Sequence, residues 1–312
     1  MTRYRLIVNP AAGGGSAERS VPPIERMLRE SGVEFDVVRT ERPLHAIELA
    51  QQAAESGVDV VVAVGGDGTA NEALNGLIRA KSAGSGTAAL GVLCVGRGND
   101  FAFGAGIPQN LEAGCRALAA NRRRTIDVGR ASGDGFPEGR YFGNGVGIGF
   151  DTVVGLVAAK LKRLRGFAGY LVAALKTIFL YFKAPLVRVE TDNGSTELRA
   201  LMVSIMNGRR MGGGFMMAPD GEPDDGIFHL CIAREVSRPK ILALILRFMK
   251  GTQASHPAIA TELSTRVTVT AIDGTLPAHA DGEILCEEGS EVTIGILPAA
   301  IEIIVPLARE SR

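Results

Sequence analysis

The sequence predicts a chain in two parts: an N-terminal α/β half with a doubly wound parallel sheet, then a mostly β half built as an antiparallel, sandwich-like domain. Three observations lead there. The 312 residues exceed the size at which a single hydrophobic core usually divides. Up to about residue 128, apolar strand-like runs alternate with helical patterns, which is the rhythm of parallel strands joined by crossover helices. After Asp127 that rhythm gives way to short β-like runs separated by turn signals. The halves are therefore drawn as 1–128 and 129–312, with the last strand free to return to the first half.

The first strand is expected at Arg5 to Asn9. A helical stretch at 16–31 follows, closed by Gly32 at the left-handed position that ends many helices, with Pro22-Pro23 leaving its start open. Glu34 to Arg39 reads as the second strand, and 44–56 as a helix ended by Gly57. Val58 to Val64 is β-branched almost throughout, as a strand buried on both faces should be. A helix at 69–80 and a fourth strand, Leu90 to Val95, complete the pattern. In the second half, strands are expected at 140–149, 186–191, 197–206, 227–232, 266–271, 291–296 and 301–305. A long helical stretch at about 152–183 interrupts them, and a shorter helix follows Pro239.

Composition excludes several classes. Thirty-four basic and thirty-four acidic residues cancel, so no global field draws the chain to nucleic acid or an anionic membrane, and any attraction to anions must be local. Cys94, Cys115, Cys231 and Cys286 are widely spaced and form no C-x-x-C pair, which argues against a zinc site or a disulfide framework. The first ten residues contain no apolar core of a secretory signal. The most apolar stretch, Leu171 to Phe182, carries Lys176 and is shorter than the roughly 20 residues a spanning helix needs. A reduced, cytoplasmic protein is expected.

Three loops carry the chemistry. Gly65-Gly66-Asp67-Gly68-Thr69 follows the buried strand and opens a helix. Its glycines let backbone N–H groups come close to a phosphate, and the helix aims its positive end at the same place. Read structurally, the same string is a glycine turn with Asp67 capping the helix. Asn9-Pro10-Ala11-Ala12-Gly13-Gly14-Gly15-Ser16 follows the first strand, and Gly96-Arg97-Gly98-Asn99-Asp100-Phe101-Ala102 follows the fourth. Turns at the carboxyl ends of parallel strands share one edge, so all three can face one ligand. Neither a dinucleotide G-x-G-x-x-G nor a P-loop lysine motif is present. Asp67, Asp100 and Asp127 lie at or just after strand ends, where carboxylates suit Mg²⁺ or cap backbone groups.

These strings resemble the diacylglycerol kinase catalytic family, which includes bacterial lipid kinases and the sphingosine and ceramide kinases. The likeness rests on Val8-Asn9-Pro10, on Gly65 through Glu72, and on Gly98-Asn99-Asp100-Phe101-Ala102. It continues through Gly212-Gly213-Gly214, Ala218-Pro219, Asp224-Asp225-Gly226 and Asp281-Gly282-Glu283. The resemblance implies an N-terminal nucleotide domain, a β-rich lipid-substrate domain, and a cleft between them. ATP contacts would fall on Asn9, Pro10, Ala11, Ala12, Gly13, Thr40, Gly65, Gly66, Asp67, Gly68, Thr69, Ala70 and Asn71, with Arg97 and Asn99 from the third loop. Bacterial members commonly carry Thr where this sequence has Arg97, and an arginine there can bind phosphate directly. The resemblance also implies a structural magnesium loop using the Asp225 carboxylate and the backbone carbonyls of Glu222 and Ile227.

Phosphoryl transfer needs a carboxylate near the attacking hydroxyl. Glu283 is assigned that role, with Asp281 as orienting partner or alternative base. On an extended segment the two would share one face. A surface turn carrying two acids is the plain alternative. Val153 to Phe182 mixes apolar residues with Lys160, Lys162, Arg163 and Arg165, so it either covers the β core or rests on a membrane surface. His279, two residues before Asp281, could contact a phosphate but is expected to be simply packed or exposed, and His45, His229 and His256 show no ligand spacing. An edge strand of the β-rich half could pair two copies as a homodimer. The leading reading is an ATP- and Mg²⁺-dependent lipid kinase acting on diacylglycerol at the inner membrane face. The rival readings are an NAD kinase-like enzyme and a non-catalytic nucleotide or lipid sensor.

Overall fold

The structure, a computed structural model, describes residues 2–96, 98–160, 172–173, 175–178 and 184–307. The chain forms two compact units, Met1–Ile126 with Ala299–Arg312, and Asp127–Pro298. The first contains β1 (Arg3–Val8), α1 (Ser16–Glu30), β2 (Glu34–Arg39), α2 (His45–Glu55), β3 (Val60–Gly65), α3 (Asp67–Ser82), β4 (Ala89–Cys94), α4 (Asp100–Gly104) and α5 (Leu111–Ala120). Its strands lie in the order β2-β1-β3-β4, all parallel. Every residue of β3 and β4 is buried, while β2 at the edge is largely exposed.

Side-chain alternation sorts this sheet into two faces. On one, Ala17, Val21, Ile24 and Leu28 of α1 and Cys115 and Leu118 of α5 close over Leu6, Val8, Val62 and Val64. On the other, α2 and α3 pack against β1 and β3. Helix α1 runs unbroken through Pro22 and Pro23, although interior prolines remove helical hydrogen bonds. Val21 and Ile24 are buried on either side of the pair and Pro22 faces solvent, so burial of the apolar stripe outweighs the lost bonds. Helix α3 begins at Asp67, two residues before the expected start, and α4 and α5 were not anticipated.

The second unit holds most of β5 (Arg123–Gly133), then β6 (Phe136–Phe142), β7 (Gly145–Gly149), α6 (Phe150–Lys160), β8 (Leu186–Thr191) and β9 (Gly194–Met206). There follow β10 (Arg210–Met211), β11 (Phe215–Met216), β12 (Phe228–Arg234), α7 (Arg238–Lys250), β13 (Ile259–Ser264), β14 (Arg266–Asp273), β15 (Leu276–Ala280), β16 (Glu283–Gly289) and β17 (Glu291–Ile304). Pairing within this unit is antiparallel. Strand β9 joins its two layers: Gly194–Arg199 pairs with β8, and Met202–Met206 pairs with β7 on one edge and β12 on the other. Between the layers lies a core that includes Phe142, Val189, Val203, Phe228, Val267 and Ile294, with the Phe142 and Phe228 rings stacked at 5.8 Å.

Several expectations are corrected here. The run 140–149 is two strands that meet at Gly143-Asn144, and 291–296 and 301–305 belong to one strand. Pro298 and Ala299, the latter at φ 49°, interrupt its regular extension, which is why it read as two. Beyond Lys160, most of the predicted 152–183 helix lies outside the described residues, as do the side chains of Lys160, Lys162, Arg163 and Arg165. Among the described residues, no helix is long and apolar enough to cross a membrane.

Candidate active site

The order β2-β1-β3-β4 sends the chain leaving β1 to one face of the sheet and the chain leaving β3 to the other. Such a switch point leaves a crevice at the carboxyl ends of the two strands. Asn9 fastens it: its N–H donates to Val64 O (3.2 Å), its Nδ2 to Thr69 Oγ1 (3.1 Å), and its Oδ1 accepts from Ala11 N (3.1 Å). Pro10 and Ala11 form the turn that leads to a short 3-10 turn at Ala12–Gly14. The third loop closes on the same place, since Val95 N and Gly96 N both donate to Gly65 O (2.8 and 3.2 Å). A Cβ on Gly96 would stand 2.7 Å from Gly66 Cα, and one on Gly13, which has φ 60°, would stand 2.8 Å from Val95 O. Three glycine-bearing loops are thus in mutual contact, with backbone where side chains would otherwise fill the space. Thr40 extends this edge, its N–H donating to Val8 O (2.9 Å).

Asp67 is the first residue of α3, and its Oδ1 accepts the Phe101 N–H (3.1 Å). A Cβ placed on Gly98 would lie 2.9 Å from Asp67 Oδ2 and 3.8 Å from Asp100 Oδ2, so both carboxylates flank one point. Burial, followed by the nearby Asp67 charge, pushes the Cys94 thiol up to about 12. Asn99, at φ 51°, turns the loop and donates from Nδ2 to Gly96 O (3.1 Å). Thr69, Ala70 and Asn71 are buried, and Asn71 Oδ1 accepts from Asn75 Nδ2 (3.2 Å). Glu72, the last residue of this string, caps α2 by accepting the Leu44 and Ala46 N–H groups (3.2 and 3.1 Å). Arg97 lies outside the described residues.

In the second unit, Asp281-Gly282-Glu283 is not extended. Asp281 (φ 49°) and Gly282 (φ 86°) form a two-residue hairpin turn between the paired residues Ala280 and Glu283. Asp281 Oδ2 accepts Gly143 N (2.9 Å), and Oδ1 accepts Asn144 N (3.0 Å) and Gly145 N (2.9 Å). This corrects the expectation of an extended segment that puts Asp281 and Glu283 on one face, and the Asp281 carboxylate clamps the corner between β6 and β7. Glu283 is exposed at the start of β16.

The sequence undervalued His279 and passed over Asp151. His279 is 8% exposed; its Nδ1 accepts the Gly282 N–H (3.3 Å) and its Nε2 lies 3.5 Å from Asp151 Oδ2. A Cβ on Gly147 would collide with both side chains, so the glycine makes room for the pair. The glycine run Gly145-Val146-Gly147-Ile148-Gly149 leading into Phe150-Asp151 was the available signal. Asp151 also lines an apolar cavity of about 40 Å³, whose wall includes Phe150, Met202, Phe215, Met217, Leu244 and Phe248.

A family model for the diacylglycerol kinase catalytic domain matches residues 3–131, and one for the YegS C-terminal NAD kinase beta sandwich-like domain matches 144–305. The chain belongs to the diacylglycerol and related lipid kinase family. A "Diacylglycerol kinase" of Mycobacterium tuberculosis is 28% identical over 308 residues, covering 97% of this chain and 95% of the relative. A "Probable lipid kinase YegS-like" of Klebsiella pneumoniae (strain 342) is 30% identical over 302 residues, covering 96% and 95%. The crystal structure of a diacylglycerol kinase from Bacillus anthracis str. Sterne has the same fold, with a TM-score of 0.71 at 21% identity and 98% of each chain covered. Yeast NADH kinase complexed with NADH is a distant fold neighbour, with a TM-score of 0.53 at 10% identity over 98% of this chain and 84% of that one.

As a lipid kinase of this family the protein takes ATP as phosphoryl donor. The first unit fits a chain of phosphates, since Cβ atoms at Gly13 and Gly96 would occupy the cradle. For a divalent ion, Asp67 and Asp100 are the carboxylates whose placement fits, because Mg²⁺ held between phosphates needs only one or two. No group of three or more His, Cys, Asp or Glu side chains surrounds a common metal position among the described residues. Asp127 lies inside β5 and not at or just after a strand end as expected, is 3% exposed, and holds the 223–226 loop. Its N–H donates to Pro223 O (2.7 Å) and its Oδ2 accepts Gly226 N (2.7 Å). Asp225 accepts Ile227 N (3.1 Å) on Oδ1 and meets His229 Nε2 (2.8 Å) on Oδ2, a pairing the histidine spacing had not suggested. Glu222 pairs with Arg209, which also donates to Gly221 O (2.7 Å). At the loop where the resemblance implied magnesium at Glu222, Asp225 and Ile227, each Asp225 oxygen has one protein partner and keeps a further lone pair.

Proposed function

We propose that the protein transfers the γ-phosphoryl group of ATP to the free hydroxyl of diacylglycerol, with Mg²⁺ as the required ion. The observation that carries the acceptor assignment is the cavity of the second unit, walled by apolar side chains with Asp151 at its edge. A nicotinamide dinucleotide, polar along its whole length, gains little from such a wall, whereas an acyl chain gains free energy from every methylene buried. At about 40 Å³ the cavity takes a chain only as its walls adjust, and Met202 and Met217 supply the flexible side chains for that. The similarity to the "Diacylglycerol kinase" of Mycobacterium tuberculosis supports diacylglycerol as the acceptor.

In this reading the N–H groups of the Gly13, Gly66 and Gly96 loops bind the phosphates and hold them through the transfer. A Mg²⁺ held at Asp67 and Asp100 supplies positive charge that neutralises the phosphate oxygens. Glu283 accepts the hydroxyl proton as the lipid oxygen bonds to the γ-phosphorus and the bond to the bridging oxygen of ADP breaks. Asp281 shapes the turn that presents Glu283, and His279 steadies that turn through the Gly282 N–H.

The test is incubation with labelled ATP and Mg²⁺ against a panel of diacylglycerol, sphingoid base, polyprenol and NAD in detergent micelles, with Glu283→Gln and Asp67→Ala as controls. Labelled phosphatidic acid that disappears in both variants is expected. Labelled NAD phosphate would move the assignment to the NAD kinases. ATP binding without any labelled product would leave a sensor.

A further inference from the structure

We propose that α7 is a membrane-docking helix that lays the second unit on an anionic lipid surface. This rests on the lipid-acceptor reading above and assigns a surface to it. Helix α7 carries a second apolar strip beside its buried face. Ile241, Leu244, Ile245 and Phe248 are buried and form one wall of the cavity. The spacing of Leu242, Leu246 and Met249 places them together on one flank of that buried stripe. Leu242 is half-buried, while Leu246 is 60% and Met249 38% exposed.

Charge says what covers that stripe. Between Glu235 and Glu262 the sequence carries no acidic residue, against Arg238, Lys240, Arg247 and Lys250. Arg238, Lys240 and Lys250 are exposed, and Arg247 donates to Ser255 Oγ (3.0 Å). In a chain with a net charge of zero this one-signed zone is local. A protein partner's interface normally mixes polar groups of both signs around an apolar centre. An exposed helix face that is apolar along one side and cationic along the other matches an anionic bilayer, into which such a helix sinks in-plane with its cations at the headgroups. Its 13 residues are too few to span. Continuity with the cavity adds a second argument: the inner face of the same helix walls the space proposed for an acyl chain, so docking α7 sets the cavity beside the phase that holds the substrate.

The test uses the full-length protein, the double variants L246E/M249E and K240E/K250E, and vesicles of phosphatidylcholine alone or mixed with phosphatidylglycerol. The wild type should sediment with the mixed vesicles and much less with the neutral ones. Each variant should lose about tenfold or more of that binding. Because the substituted side chains are exposed and lie off the cavity wall, melting temperature and activity on diacylglycerol dissolved in detergent micelles should stay at wild-type values. Variants that sediment like the wild type overturn the proposal. So does a loss of micellar activity equal to the loss of vesicle binding, which would place these residues in the acceptor site. A change in light-scattering mass with unchanged vesicle binding also overturns it, in favour of a second copy of this chain. If no lipid is phosphorylated while vesicle binding still depends on α7, the docking surface stands and the substrate reading alone falls.

Discussion

Asp281 and Glu283 stand two positions apart and do different work. Asp281 spends its carboxylate on three backbone N–H groups at Gly143, Asn144 and Gly145. Removing a charged acceptor from several amides costs the bonds and leaves the donors to find water, so Asp281→Ala should lower stability by about 3 kcal/mol. Glu283 is exposed, and Glu283→Gln should leave the melting temperature within error while lowering kcat about a hundredfold or more. Thermal unfolding and turnover measured on both variants check the division; a Glu283→Gln protein that turns over normally removes it as base. The sequence supported two acids on one face only if the segment were extended. Asp-Gly is also the preferred pair for a two-residue hairpin turn, a signal the sequence did carry, but the register in which the flanking strands pair to make it one shows only in the fold. The Asp151 and His279 pair stayed hidden for a related reason, since it depends on β15 lying beside β7. By contrast, the Gly65–Thr69 string could be read directly, because its glycines, the buried strand before it and the helix after it are all local.

At the scale of elements, the join between α2 and α3 sets helix propensity against packing. Gly76 lies inside α3, where alanine would be favoured by about 1 kcal/mol on propensity alone. A Cβ there would strike Ile47 O, Ala50 Cβ and Gln51 N of α2. Overpacking of this kind costs roughly 1–3 kcal/mol and has to be met by moving backbone, so Gly76→Ala should lower the melting temperature despite its propensity. A stabilised variant would show that the two helices separate freely. The β5–β6 turn makes a pH-dependent link. Asp134 Oδ2 accepts the Ser290 hydroxyl (2.6 Å) and N–H (2.9 Å), and Oδ1 accepts Gly135 N (3.1 Å). The Ser290 hydroxyl first, and then its N–H, hold this carboxyl below its ordinary value. A depressed folded-state value means the link stabilises above the unfolded value of about 3.9 and is lost as pH falls through the folded one. The residue is exposed, so solvent screening keeps the effect under about 1 kcal/mol. Wild type should lose more stability than Asp134→Asn on going from about pH 5 to pH 2. Among the elements the sequence missed, β16, Glu-Ile-Leu-Cys-Glu-Glu-Gly, has no clean alternation because most of it is exposed.

At the scale of the whole chain, the first unit is completed by its last described residues. Ile303 pairs in parallel with Leu90 of β4, and Ile304 joins the core under α1 and α5. Lys81 Nζ donates to Ala300 O (2.6 Å), Arg123 pairs with Glu302 (2.9 Å), and Val305 N donates to Arg122 O (2.9 Å). The boundary drawn at 128 came from a change in strand rhythm, which marks where one kind of sheet stops but not where a later strand goes. Membership of a sheet is a matter of partners, and the apolar run at 301–305 would read the same in either half. A fragment ending at 128 would therefore lack one strand of its own sheet, with the fully buried β4 left as an apolar edge. Such an edge recruits other chains, so this fragment should aggregate or fail to give a cooperative melt. Appending residues 299–307 through a flexible linker should restore solubility and a single transition, followed by circular dichroism and size exclusion. A fragment 1–128 that melts cooperatively as a monomer would show that the returning strand is dispensable. The physical expectation is the reverse: Leu90 is fully buried in the native unit, and uncovering β4 would give back to water the surface whose burial holds that edge of the sheet together.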